Sequence, residues 1–332
     1  MKLKNIFTTM IGTALLVGTV ACSSNNAAPE TGSSEGSSQA AEARIVSMAG
    51  ITTNTVIKRG IENGNFSDSG LNAALIEVEN PPAALASMQG GNAEFAYAPL
   101  STALTALSQG IDIRIVAPAE GFPEEGDDAA DYDDTGLVVN PSDGLDSAAD
   151  LTGKIVAVPS RNGMMEIVIA NAIDAAGGDH TKAEWQALDQ QSQISALTQN
   201  RIQGAGLATP FTTKAEEEGM ETIVRPKALF FENGAAAVWI TTSEIAEKQP
   251  ELVTSFQTSI AAANTWADEN LTEIAKDVIA ERELSVAPED MMVGYFPTSV
   301  TVEQVQRAAD KMVKLGFLEG KIDLAGVVVA AP

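Results

Sequence analysis

From Arg44 onward, short apolar runs alternate with polar turns. Arg44-Ile45-Val46-Ser47-Met48 has the make-up of a buried strand, and Gly50-Ile51-Thr52-Thr53-Asn54 follows as a polar turn. A helix is expected over residues 55–63, with Gly64 as its natural stop. Residues 75–78 read as the next strand. Pro81-Pro82 then open a helix that Gly90-Gly91 end, because proline suits a first helical turn. Residues 94–98 and 111–116 read as further strands, separated by a helix that starts at Pro99 and stops at Gly110. Strand and helix in strict alternation with short loops imply parallel sheets flanked by helices.

The alternation breaks across residues 123–135, which are rich in acids and poor in aliphatic side chains. It resumes at Leu137-Val138-Val139. Residues 155–158 read as a strand, 160–163 as a turn and 164–176 as a helix closed by Gly177-Gly178. Residues 185–188, 194–198 and 206–208 continue as strand, helix and strand, and 251–270 and 302–315 as long amphipathic helices. No repeat of fixed period is present.

Two junctions share one design. Val46 leads through Gly50 to Asn54, and Val158 leads through Ser160-Arg161-Asn162 to Gly163. Each is a strand that ends in a polar turn at a helix N-terminus, where bare N–H groups and the helix dipole suit polar or anionic ligands. In open parallel sheets ligands lie at the carboxyl ends of strands, so two such sheets facing each other would form a cleft.

The first 43 residues follow another rule. A short positive start with Lys2 and Lys4 precedes an apolar stretch over residues 6–20, then Ala21-Cys22. That is the pattern of a signal peptide over residues 1–21, and the stretch is short for a membrane span. Residues 22–43 are Ser-, Asn-, Gly- and Glu-rich and are expected to be a disordered tether. Cys22, the one cysteine, resembles the lipidated first residue of a bacterial lipoprotein. The resemblance implies a palmitate-type anchor holding the body at the outer face of the cell membrane. Ordinary cleavage beside a free thiol is the alternative.

The net charge of −25 opposes binding to nucleic acid or anionic lipid. With one histidine and one cysteine, zinc, haem and iron–sulfur sites are not expected, and no cofactor or metal is assigned. The acidic run Asp127-Asp128, Asp131, Asp133-Asp134 lacks the spacing of a calcium loop and reads as a solvated loop. His180 reads as a surface turn residue, and Met164-Met165 and Met291-Met292 as flexible packing.

Three segments together carry a resemblance. They are residues 83–97 (AALASMQGGNAEFAY), residues 150–158 (DLTGKIVAV) after Leu137-Val138-Val139, and Ala208-Thr209-Pro210-Phe211. In order and spacing they are similar to the solute-binding proteins of ABC importers, in the nitrate, alkanesulfonate, taurine and thiamine-pyrimidine-precursor group. The resemblance implies an α/β, two-lobed, type II periplasmic-binding fold in which the chain crosses a hinge twice and closes on a small molecule. Residues 44–136 plus 240–332 would form lobe one, and 137–239 lobe two. The implied partners are a small-molecule ligand, a membrane permease and its ATPase, with the protein monomeric.

Candidate site residues follow from the strand ends. Thr52, Thr53 and Asn54 are either ligand donors or helix caps. Asn80, Tyr97, Pro99 and Ser101 sit at further strand ends of lobe one, and Tyr97 could equally be packed. In lobe two, Ser160, Arg161 and Asn162 are the strongest polar candidates, since a guanidinium grips a carboxylate or sulfonate with two prongs. Thr209 and Phe211 follow, Phe211 either stacking on a ligand or packing in the core. Phe230-Phe231-Glu232 could line the cleft or the second crossing. No catalytic residue is assigned, because no nucleophile and base are paired and no phosphate-binding loop is present. The expected ligand is a small organic anion. A thiamine-pyrimidine precursor or similar heterocycle is the alternative, as is a sensing lipoprotein without a transport role.

Overall fold

The computed structural model describes residues 40–123 and 129–332. The signal peptide, Cys22 and nearly all of the tether lie outside the described residues, as do Asp127 and Asp128. Among the described residues no helix is long and apolar enough to cross a membrane.

Among the described residues, ten strands and twelve α-helices follow one another. The first half holds β1 (Ala41–Met48), α1 (Thr52–Glu62), α2 (Asn65–Asp68), β2 (Leu71–Val78), α3 (Pro81–Gln89), β3 (Phe95–Pro99), α4 (Leu100–Ser108) and β4 (Ile113–Phe122). Next come β5 (Thr135–Val139), β6 (Ile155–Val158), α5 (Met164–Ala175), β7 (Glu184–Ala187), α6 (Gln190–Thr198), β8 (Gly204–Ala208), α7 (Phe211–Glu217), β9 (Glu221–Val224) and α8 (Pro226–Phe231). The chain closes with β10 (Gly234–Thr242), α9 (Ser243–Lys248), α10 (Pro250–Glu269), α11 (Leu271–Glu281) and α12 (Val302–Lys314).

The strands form two five-stranded sheets, ordered β2-β1-β3-β10-β4 and β7-β6-β8-β5-β9. They have the same plan. In the first, β1 runs parallel to β2 and β3, and β10 runs antiparallel to β3 and β4. In the second, β6 runs parallel to β7 and β8, and β5 runs antiparallel to β8 and β9. The lone antiparallel strand in each sheet is the one that arrives from the other lobe. The chain therefore crosses twice, before β5 and before β10.

Two boundaries differ from the sequence reading. β1 starts at Ala41, so the last part of the assigned tether is already in the sheet, paired with Leu71–Ala73. Residues 234–239, assigned to lobe two, belong to β10 in the first sheet. Their apolar alternation reads as a strand in either lobe, and only its pairing with β3 and β4 decides which. At this return the backbones come close. A side chain on Gly121 would meet the Gly234 carbonyl at 2.1 Å, so glycine is required there.

The main core runs through both lobes. Leu100 of α4 and Ile115 of β4 from lobe one, and Leu137 and Val156 from the second sheet, share a cluster with Phe230, Phe231 and Met312. Phe230 and Phe231 meet edge to face at 4.9 Å and are buried, so they pack in the core and do not line a cleft. Helix α8 packs on both β4 and β5 and thus sits at the hinge. Glu232, after α8, is exposed and pairs with Lys311 at 2.6 Å.

Candidate functional site

The expected donors of lobe two are committed to the protein itself. Arg161 donates from Nε and Nη2 to Glu166 at 2.9 and 3.1 Å, and from Nη1 to the Trp185 carbonyl at 3.3 Å. The Asn162 amide donates to the same carboxylate at 2.6 Å, with Asn162 in the left-handed conformation at φ 57°. Glu166 lies in the first turn of α5 and is buried. The protein's own carboxylate thus occupies the place where an anion would meet the positive end of α5. This overturns Arg161 as a free grip on the ligand. Ser160 is exposed beside it.

Other expected residues have structural duties. Asn54 donates from its side-chain amide to the Met48 carbonyl and to Glu77, both at 2.7 Å. Asn80 caps α3 by accepting from the Ala83 amide at 3.0 Å. Phe211 packs against the cluster around Ile194 and Leu207. Thr209 ties its amide to the Asp134 carbonyl at 2.8 Å and its hydroxyl to Thr212 at 3.2 Å. Pro99 ends β3 at the cap of α4. Thr52 is half-buried at the start of α1, and no side chain caps that helix, which settles the cap-or-donor alternative against capping.

What remains converges at the hinge. Thr53 Oγ1 lies 3.5 Å from Glu120 of β4. Lys227, on α8, lies 3.4 Å from Glu120 Oε1 and forms a very short contact with Asp134 at the first crossing. The Lys227 side chain is 5% exposed, whereas the Glu120 and Asp134 side chains are 20% and 32% exposed. The carboxylates therefore keep free acceptor positions toward solvent. Burial works against the charge on Lys227, but Asp134, Glu120 and Asp133 outweigh it and hold the lysine above its ordinary range. Burial lifts the Tyr97 phenol well above its usual value, and the charges on Glu120 and Asp134 add to the lift. Its ring packs edge-on to Trp239 at 5.9 Å, and its hydroxyl has no hydrogen-bond partner among the described residues. Ser101 is likewise buried as a residue, and its hydroxyl makes no hydrogen bond among the described residues.

Asp133 corrects the reading of the acidic run as a solvated loop. It is fully buried and accepts from the Ala228 amide at 2.7 Å and the Thr135 amide at 2.8 Å. Burial raises its pKa, with Lys227 opposing. His180 is a second correction: it is not a surface residue. Its ring lies between Asp174 at 2.9 Å and the Leu315 carbonyl at 3.2 Å, joining lobe two to the end of α12.

Glu120, Asp134, Lys227 and Arg282 were not singled out from the sequence. Glu120 falls beyond the point where β4 was expected to end, and Asp134 was one of many acids. Arg282 follows α11 and is partly buried, and its guanidinium makes no hydrogen bond or ion pair among the described residues. Burial draws it below its ordinary value, and Glu281 and Asp134 oppose that. The one hint in the sequence was Asp133-Asp134 immediately before the resumed strand at the crossing.

Two matching sheets joined by two crossings, with a polar cluster at the hinge, define a two-lobed α/β fold. The comparisons place it further. The family model described as NMT1/THI5 like matches residues 52–273, more than half of the chain. The chain belongs to that family. Among solved structures, the periplasmic aliphatic sulphonate binding protein SsuA from Escherichia coli is similar, with a TM-score of 0.71 and 14% identity over 88% of this chain and 92% of that one. The periplasmic nitrate-binding protein NrtA from Synechocystis PCC 6803 superposes with a TM-score of 0.63 at 13% identity, covering 84% and 83%. The Candida albicans CA3427 product, described as having the generic periplasmic binding protein fold, gives 0.64 at 11% identity over 87% and 96%. No curated protein matches the chain. The expected α/β two-lobed periplasmic-binding fold is thus the fold observed.

Proposed function

We propose that this protein is the solute-binding lipoprotein of an ABC importer and that it closes its lobes on a small polar organic molecule for delivery to a membrane permease. It performs no covalent chemistry, works outside the cytoplasm and is tethered through lipidated Cys22. The family and fold support the class, and the hinge cluster supports the ligand chemistry. Two carboxylates, Glu120 and Asp134, share one buried ammonium. One negative charge and several lone pairs are left to meet a ligand. Tyr97 and Ser101 add unpartnered hydroxyls.

That set favours a head group rich in N–H donors, such as an aminopyrimidine or a related amino heterocycle, over a plain sulfonate. With Arg161 held by Glu166, the organic anion expected from the sequence loses its proposed grip. The alternative of a heterocyclic ligand therefore becomes the main reading.

Thermal unfolding against a solute panel tests this. The panel holds nitrate, alkanesulfonates, taurine, aromatic carboxylates, riboflavin and 4-amino-2-methyl-5-hydroxymethylpyrimidine. A ligand at 100 times its dissociation constant adds about 2.7 kcal/mol, enough to raise the midpoint by several degrees. The aminopyrimidine is expected to give such a shift and nitrate none. A shift confined to nitrate or simple alkanesulfonates would overturn the head-group assignment. The anchor is tested by labelling cells with a palmitate analogue. Cys22→Ser should lose the label and release the protein from the membrane fraction.

A further inference from the structure

His180 is the one histidine of the chain, and the hinge chemistry does not use it. It lies in the short turn between α5 and β7, and its side chain is 12% exposed. Nδ1 of the ring is 2.9 Å from Asp174 Oδ1, and Nε2 is 3.2 Å from the Leu315 carbonyl. Asp174 is on α5 of lobe two. Leu315 ends α12, which packs on α4 and β10 of lobe one. The imidazole therefore bridges the lobes.

Both of its neighbours can only accept. A carboxylate and a carbonyl offer lone pairs, so each needs an N–H from the ring. Neutral imidazole carries one N–H and imidazolium carries two, so only the imidazolium completes both contacts. When the proton leaves, the remaining N–H stays with the carboxylate, because a hydrogen bond to a charged acceptor is the stronger. Nε2 then turns a lone pair toward the Leu315 carbonyl. The contact that is lost is the one between the lobes.

The other charged groups of the elements that meet here do not replace it. Asp179 and Lys182 of the same turn pair with each other at 3.0 Å, and Lys311 of α12 is held by Glu232 at 2.6 Å. Glu184 of β7, Lys314 of α12 and Glu319 beyond it are exposed. Phe317 stacks against the ring with centroids 6.3 Å apart, and the Trp185 indole donates to the His180 carbonyl at 3.2 Å. The ring is fixed in place, and its proton is the part that changes.

We infer that His180 is a proton-operated tie between the two lobes: protonated, it holds lobe two to the end of α12, and neutral, it lets that contact go. Lobe mobility therefore rises as pH passes upward through the range in which imidazole titrates. The step from lobe mobility to solute capture rests on the binding-protein reading, whereas the tie itself does not.

The test is single-molecule energy transfer in solution between dyes on the two lobes, with no solute present. The Cys22→Ser protein carries one dye at Ser108→Cys in lobe one and one at Thr198→Cys in lobe two, both exposed positions. Between about pH 5 and about pH 8 the transfer distribution should broaden or shift, with a midpoint that coincides with the titration of the single histidine signal in NMR. His180→Phe keeps a ring against Phe317 but has no N–H, and its distribution should match the high-pH form at every pH. His180→Gln does not titrate and should likewise show no pH response. A cooperative melt shows that each variant is folded, and if His180→Phe is not, His180→Gln alone decides. A distribution indifferent to pH in the protein that keeps His180 overturns the tie. So does a pH response that survives in a folded variant.

Discussion

The two lobes start from the same plan and end with different chemistry. Each has a parallel trio of strands, an antiparallel strand from its partner, an edge strand beyond it and a helix that begins at the end of the trio's middle strand. In lobe two that helix start is filled by Glu166 and locked by Arg161. In lobe one the start of α1 carries no acid and no cap, and Thr53 looks toward Glu120. A strand–turn–helix junction becomes a ligand site only where the protein's own side chains leave its donors and acceptors open. The more polar-looking junction in the sequence is the closed one.

The sharpest way to break this comparison is at the hinge. Lys227→Met should cost about 3–5 kcal/mol, because it leaves Glu120, Asp134 and buried Asp133 without their shared cation. Denaturant unfolding measures this, and a loss below about 1 kcal/mol would show that the carboxylates do not depend on Lys227.

Next comes the contrast of the two lobes. Glu120→Gln should weaken the best solute by about tenfold or more, since it removes the charge proposed to meet the N–H-rich head. Arg161→Ala should instead leave affinity within about twofold and cost about 1–3 kcal/mol of stability, because the buried Glu166 loses its partner. Titration and denaturation of both variants decide the matter. Affinity lost with Arg161→Ala would return lobe two to the site.

A smaller effect concerns pH. Burial raises the Asp268 carboxyl to about 6 from 3.8, against the opposing hydrogen bond from the Phe296 amide. A carboxyl raised on folding binds its proton more tightly in the native state. Its contribution therefore favours the native protein below pH 4 and is lost as pH rises from about 4 through 6. Asp268→Asn should remove about 1–2 kcal/mol of that loss, seen as a flatter melting temperature between pH 5 and about 7.5. The smallest change is Tyr97→Phe, which should leave stability within about 0.5 kcal/mol, since the hydroxyl has no partner to lose. Its effect should appear only in ligand titration.

Much of the architecture was legible from the order of apolar and polar residues. Alternation placed β1, β3 and β6 and the helices that follow them, because a buried strand and an amphipathic helix each impose a period on the chain. Long helices were the easiest: α10 and α12 lie within a residue of the expected spans. The run 234–239 was legible as apolar but not as to lobe, since hydrogen bonding to β3 and β4 is a long-range choice.

The site divided along the same line. The sequence by itself determined an acidic body with two matched strand–helix junctions and a family resemblance, because composition and periodicity are local properties. It named Thr53, Tyr97 and Ser101, which the structure brings to the hinge or leaves with open hydroxyls. Only the tertiary structure decided that Arg161 is held by Glu166, that Asp133 is buried and that Lys227 joins Glu120 to Asp134. Whether a charged side chain is open to a ligand depends on which opposite charge lies a few ångströms away. Lys227 and Asp134 are far apart along the chain, and their pairing exists only once the two crossings have folded past each other.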